Sequence, residues 1–383
     1  MNSNLPVTPI SHTPINAKLP VLKVIGLGGG GQNTVDRMIE LGLSGIDFIA
    51  ANTDAQVLQT CLAPTKIQLG PVLTRGLGAG GDPTVGEAAA EESLQALKDA
   101  LAGSDMVFLT AGMGGGTGTG AIPVAARVAK SLGALVVAIV SLPFAFEVGR
   151  RQKNARDGIS KLQAHTDTLI SVPNDRLLQF APRDLPLEMA FRLADDVLRQ
   201  GVQGISEMIT QPGLINVDFS HVRNLMKNGG GSLLSIGTGE GENKTAQALE
   251  RALHHPMLET IDLADASGII ANFTGGSDLS FVEVMESLKH LQEMANPDAT
   301  IIPGIVSDER MEDRVQVILV LTGIGATSVD NEVNSEPISV VLEPLNTEPI
   351  LLHTFNPSPA PQLEMASTPA NLDVPAFLRN RVN

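Results

Sequence analysis

Two glycine-rich turns, each reached from an apolar run and followed by a helical pattern, constrain this chain more than anything else in it. The first lies in VIGLGGGGQN (24–33), where Gly26, Gly28 and Gly31 meet the G-x-G-x-x-G spacing that brings backbone amides against a pyrophosphate at a helix start. The second is AGMGGGTGTGA (111–121), in which six of eleven residues are glycine. One such turn suits a dinucleotide-dependent oxidoreductase. Two of them on neighbouring strands, with the Thr117 and Thr119 hydroxyls among the amides, would surround a di- or triphosphate from two sides. The lysine of a Walker A loop is absent, so charge neutralisation falls to amides, helix dipoles and a metal ion.

The surroundings of the turns give the fold class. Apolar β-rich runs at 21–27, 46–52, 105–112, 134–143 and 167–174 alternate with helical patterns at 86–101 and 119–133. This predicts an α/β fold, a doubly wound and mostly parallel sheet covered by helices on both faces. Residues 187–210 form one long helical pattern, with Leu187, Phe191, Ala194, Leu198 and Ile205 available for an apolar stripe, ended by Gln211-Pro212-Gly213. Strand and helix patterns after it predict a smaller second α/β domain. The expected organisation is therefore a disordered N-terminal arm (1–19), a nucleotide-binding domain (20–186), a long central helix (187–210), a C-terminal domain (211–326), a flexible linker (327–372) and a terminal peptide (373–383). The linker carries seven prolines, six acidic residues and no lysine or arginine.

Composition removes several function classes. With 42 acidic against 26 basic side chains and a net charge of −16, the chain would repel a phosphate backbone, so nucleic acid is not an expected partner. Cys61 is the single cysteine, which excludes an internal disulfide and reads as a small apolar residue. There is no basic flank leading into an apolar run at the N-terminus and no uninterrupted apolar stretch of about 18 residues, so neither export nor direct membrane insertion is expected. His254-His255 lacks neighbouring cysteines or paired acids, and no protein-built metal site is expected.

GGGTGTG at 114–120 is the tubulin signature, and the chain resembles the FtsZ branch of the tubulin family over roughly residues 20–326 and again at its C-terminus. Further matching segments are AANTDAQVL (50–58), TRGLGAGGDPTVGEAAAEES (74–93), PFAFEVGRRQ (143–152), VPNDRLL (172–178), LADDVL (193–198), LINVDF (214–219) and NFTGGSDLS (272–280). The resemblance implies a tubulin-like fold, GTP or GDP as ligand with Mg2+ on its phosphates, and head-to-tail self-assembly. By motif, Gly28, Gly29, Gly30 and Asn33 would make the first phosphate and base contacts, and Gly114, Gly115, Gly116, Thr117 and Gly118 the diphosphate cradle. Gly80 and Gly81 would sense the γ-phosphate, and Glu147 and Arg151 would hold ribose and phosphate. Asn174, Phe191 and Asp196 match the guanine pocket, where a carboxylate accepts from N1 and N2. Phe191 is equally open to a reading as helix core, Asp196 as a solvated charge, and Asp54 as a helix N-cap.

The resemblance further implies that hydrolysis is completed by the next subunit, through the loop after the central helix. Here that loop runs Asn216-Val217-Asp218-Phe219-Ser220-His221, with Asn216, Asp218 and His221 as catalytic candidates. The family pattern has an acid where this chain has His221. A neutral imidazole, with its free pKa of about 6.5, can still accept from water but brings no negative charge, so slowed hydrolysis is expected, with a GTP-binding scaffold that hardly hydrolyses as the alternative. Val148 and Arg192 also depart from the pattern, where glycine and a small residue are usual. The terminal peptide DVPAFLRNRVN resembles the tail that docks onto membrane-tethering and regulatory division proteins, with a cytoplasmic place at midcell.

Overall fold

The computed structural model describes residues 19–324 apart from 148, 180–183, 212–217, 228–230, 256–257 and 259–261. The linker, the terminal peptide, nearly all of the expected N-terminal arm, Val148 and Asn216 thus lie outside the described residues.

Six short strands, all but the edge strand β3 buried along most of their length, form the first half of the sheet: β1 (Leu22–Leu27), β2 (Asp47–Asn52), β3 (Thr65–Gln68), β4 (Met106–Gly112), β5 (Leu135–Leu142) and β6 (Thr168–Pro173). All their pairings are parallel, the arrangement expected of apolar strands buried on both faces. Four more, β7 (Gly231–Glu240), β8 (Gly268–Gly275), β9 (Thr300–Ser307) and β10 (Arg314–Ile324), continue the same sheet in the order β3-β2-β1-β4-β5-β6-β7-β10-β8-β9. β10 runs antiparallel to both β7 and β8. The two halves meet where β6 pairs with β7 through only two register positions, Leu169 with Gly231 and Ile170 with Ser232.

Helices connect and cover these strands: α1 (Gly28–Glu40), α2 (Ala55–Thr60), α3 (Pro71–Thr74), α4 (Pro83–Glu92), α5 (Leu94–Leu101), α6 (Thr117–Ser131), α7 (Arg150–Gln163), α8 (Asn174–Leu177), α9 (Leu187–Thr210), α10 (Phe219–Lys227), α11 (Lys244–Leu253) and α12 (Phe281–Met294). α9 spans the residues its sequence pattern predicts. Its buried stripe starts later than expected, because Leu187 is 57% exposed and Phe191 40% exposed, while Ala194, Leu198 and Ile205 are buried. One apolar core packs this helix against strands of both halves, Val137 and Ile170 on one side and Leu234, Ile302 and Ile318 on the other. A second core fills the opposite face of the first half, and a third lies between the second half and α11 and α12.

Two further features differ from expectation. Residues 86–101, read as one helix, belong to two, which break at Ser93; its hydroxyl donates to the Gln68 carbonyl (3.2 Å) and accepts from Gly70 N–H (3.0 Å). The edge strand β3 was not expected, and only one of its four residues, Ile67, is buried.

Candidate nucleotide site

Strand order fixes where a ligand belongs. From β1 the chain moves outward to β2 and β3, then returns to β4 and moves the other way, so the loops leaving β1 and β4 diverge and open a crevice at the carboxyl ends of the strands. Both glycine turns sit there, and each opens directly into a helix, α1 and α6, with amides free at the N-terminus. A cleft of about 420 Å³ lies between them, a volume suited to a nucleotide-sized ligand.

The glycines divide by what surrounds them. Gly28 (φ +69°) packs backbone to backbone, since a Cβ there would lie 2.7 Å from Gly118 N, and Gly114 (φ +100°) does the same against the Arg151 carbonyl at 2.9 Å. These two hold the turns together rather than line the cleft. Gly29 and Gly115 do line it, and nothing lies within 4 Å of where their Cβ atoms would be. Gly30, Gly116, Thr117, Gly118 and Asn33 complete the lining at this end. Gly80 (φ +59°) and Gly81 (φ +74°) stand outside the lining, on an exposed loop that reaches the second turn through Gly116, whose Cβ would meet Asp82 N at 2.7 Å.

At the other end Glu147 and Arg151 line the cleft and pair with each other, while Glu147 also accepts from Phe144 N–H (3.0 Å). Phe191 meets Phe144 edge to face, with ring centroids 5.3 Å apart, and keeps one side open to the cleft. Asn174 is 4% exposed, and its Oδ1 has no hydrogen-bond partner among the described residues. A buried unpaired amide oxygen costs about 1–3 kcal/mol, so it marks a place where a ligand donor fits.

Of the two adjacent acids on α9, Asp195 lines the cleft and Asp196 does not. The Asp196 carboxylate accepts from Arg199 (2.8 Å) and Gln200 (2.6 Å) along its own helix, which corrects its expected place in the base pocket. Asp195 accepts from Thr34 Oγ1 (2.9 Å), and burial pushes its carboxyl up to about 6, against the lowering influence of Thr34 and Arg37. The signal was in the spacing: Phe191 and Asp195 stand four apart on one helix face, whereas Asp196 is turned away. Arg192 pairs with Glu188 (2.9 Å) at the rim of an adjoining cavity, clear of the main cleft.

Asp218 and His221 lie elsewhere. α10 is fixed at the amino ends of the strands, where Thr168 Oγ1, first in β6, donates to Met226 O (2.9 Å) and Arg223 donates to Gly133 O (3.1 Å), just before β5. Both residues are exposed. Asp218 caps its helix by accepting from Ser220 N–H (2.9 Å); that bond and the nearby His221 hold its carboxyl below the usual range. Asp54 is the N-cap of α2, accepting from Gln56 (3.0 Å) and Val57 (3.1 Å). Cys61 is buried, and its thiol, which donates to Asp36 (2.9 Å), is pushed up to about 11 by burial, so it is chemically inert.

Comparison with known proteins bears on this geometry. The model of the Tubulin/FtsZ family GTPase domain matches residues 21–182, and that of the FtsZ family C-terminal domain matches residues 230–325. An empty FtsZ dimer from M. jannaschii is 45% identical with a TM-score of 0.78, covering 81% of this chain and 90% of that one. The chain belongs to the FtsZ family. A second M. jannaschii FtsZ structure, a point mutant, is also 45% identical, with a TM-score of 0.77 and coverage of 80% and 92%. CetZ2 from Haloferax volcanii, solved as a GTPγS-bound protofilament, shares the fold at 21% identity and a TM-score of 0.68, over 82% of this chain and 99% of that one. The FtsZ assignment makes the chain a GTPase of the filament-forming, tubulin-like kind, and the crevice between β1 and β4 is its candidate GTP site. Among the described residues no helix is long and apolar enough to cross a membrane, and no three His, Cys, Asp or Glu side chains are grouped to hold a metal ion.

Proposed function

We propose that this FtsZ binds GTP between its two glycine turns, assembles head to tail, and hydrolyses the nucleotide at the contact, with Asp218 and Asn216 of the next copy orienting water. The observation that carries this reading is the opposition of cleft and α10. The cleft opens at the carboxyl ends of the strands, α10 is held at their amino ends, and the six residues of β6 between them measure roughly 20 Å. No side chain crosses that distance. An acid at α10 can therefore serve only a neighbouring molecule's nucleotide, as a heterologous, open-ended contact between opposite ends would arrange.

The donor set suits GTP. Amides at two helix N-termini and Arg151 face phosphates, Glu147 faces a ribose, and Phe191, Asn174 and Asp195 face a guanine. With no protein-built metal cluster among the described residues, Mg2+ enters as the companion of the triphosphate. The protein's share is positioning: amides and dipoles hold the phosphates rigidly, and the ionised Asp218 accepts from the attacking water. His221 stands where a second acid is expected, so turnover is slow and filaments are long-lived; the second reading is a scaffold that binds GTP and hardly hydrolyses it. This reading also puts the protein in the cytoplasm at midcell, tethered through residues 373–383 to membrane-associated division proteins.

Light scattering and phosphate release, followed together after GTP addition, test it. Scattering with sustained release supports the GTPase, and scattering without release supports the scaffold. His221→Asp should raise turnover at least several-fold; an unchanged rate would take His221 out of the mechanism.

A further inference from the structure

The N-terminal end of α7 touches the segment at 143–147, the loop at 78–82 and the second glycine turn. Gln152 donates to the carbonyls of Pro143 (3.3 Å) and Phe144 (3.1 Å), Arg151 pairs with Glu147, and Arg150 donates to Asp82 (2.8 Å). Asn154 reaches furthest in. Its Nδ2 donates to Gly81 O and to Gly114 O, each at 3.3 Å, so the two N–H groups of one carboxamide bridge the loop at 78–82 to the second glycine turn.

Besides Asn154, that loop is held by Gly78 N–H donating to Thr53 O (3.3 Å) and by its backbone packing against Gly116. Gly78, Gly80 and Gly81 all have positive φ and nothing within 4 Å of a Cβ position, and the loop ends at Asp82, which caps α4 by accepting from Thr84 N–H (2.9 Å) and Thr84 Oγ1 (2.7 Å). Arg150 clamps the same carboxylate from α7, and the Thr84 hydrogen bonds, with Arg150 adding to them, hold Asp82 below the usual carboxylate range.

We propose that Asn154 is a positioning residue that ties the loop at 78–82 to the diphosphate cradle, so that the chain favours a nucleoside triphosphate over the diphosphate. The inference rests on the GTP reading above. A diphosphate is gripped by the two glycine turns alone. A third phosphate extends towards Gly80 and Gly81, and amides already fixed in place bind it without the entropy cost of ordering a glycine-rich loop. Asn154 acts through backbone carbonyls and touches no ligand atom. Its carboxylate isostere would donate to neither carbonyl and would place a negative charge beside the phosphates.

The test is equilibrium binding of GTPγS and of GDP, each with Mg2+, to the full-length chain at concentrations too low for assembly, in the parent, Asn154→Ala, Asn154→Asp and Arg150→Met. The Asn154→Ala variant should bind GTPγS about three- to tenfold more weakly, the range of one or two ordinary hydrogen bonds, with GDP affinity changed by less than about twofold. Asn154→Asp should lose more than Asn154→Ala on GTPγS, and Arg150→Met should shift the same ratio in the same direction. Equal losses on both nucleotides, the result of a merely structural role, would overturn the coupling, as would no loss. Thermal melting without nucleotide checks folding, and should the Asn154 variants not fold, the ratio in Arg150→Met decides. A parent that binds neither nucleotide defeats the GTP reading itself, whereas a parent that binds both with an unchanged ratio in the variants defeats only the coupling.

Discussion

At the scale of single residues, the space beside a glycine separates packing from binding. A methyl at Gly120 would lie 2.0 Å from Pro83 O and 2.5 Å from Glu87 N, whereas one at Gly29 would meet nothing within 4 Å. Gly120→Ala should therefore force α4 and α6 apart and lower stability by about 1–3 kcal/mol or more, seen as a reduced denaturation midpoint. Gly29→Ala should leave the nucleotide-free midpoint within about 0.5 kcal/mol and weaken GDP binding, because its methyl occupies the phosphate's space. Asp195 makes a prediction of another kind. Its carboxyl is raised from an ordinary 3.8 to about 6, so the folded chain takes up a proton between those values, and on this group's account stability rises as pH falls from 6 towards 4. Guanine recognition needs the ionised form, so GDP affinity should fall as pH drops through 6. Asp195→Asn should flatten that dependence, weaken GDP about tenfold at pH 7.5, and raise the nucleotide-free melting temperature there but not near pH 4. Asp196 shows where sequence reading stopped: motif alignment reached the acidic pair without using the four-residue spacing from Phe191, and the Thr34 and Arg199 contacts show which member faces the cleft.

At the scale of elements, α9 and the β1 and β4 turns were legible because each carries a strong periodic or compositional signal. β3 was not, since a four-residue edge strand with one buried side chain has no alternation to read. The break at Ser93 was hidden for a different reason: the apolar spacing continues across it, and the partners of its hydroxyl, Gln68 and Gly70, are distant in sequence. α10 depends on a similar long-range contact. Thr168→Val removes the donor to Met226 O, and should cost about 1 kcal/mol in stability. It should also lower GTP turnover in assembled protein by loosening the helix that carries Asp218, with GDP affinity unchanged. A matching loss of GDP affinity would show that the effect reaches the cleft by another route.

At the scale of the whole molecule, one sheet joins both halves, and α9 packs against each from the same core. Sequence set the halves at 20–186 and 211–326 with the central helix at 187–210 between them, and said nothing of this continuity, because the pairing of β6 with β7 rests on two register positions separated by some sixty residues of chain. The opposed positions of cleft and α10 give a test by mixing. Asp218→Ala chains should turn over little GTP alone, and chains made unable to bind nucleotide by Gly29→Ala combined with Arg151→Ala should turn over none. Mixed, they should recover measurable phosphate release, since the first supplies a loaded cleft and the second an intact Asp218. Failure of every mixing ratio to recover activity would place the chemistry within one chain.

The same opposition gives any row of these molecules a direction. One terminal member always presents a cleft that no neighbour has closed, and on the proposed mechanism its nucleotide stays uncleaved however old the row becomes. The two tips then differ chemically as well as geometrically, and growth and shrinkage at them need not occur at equal rates.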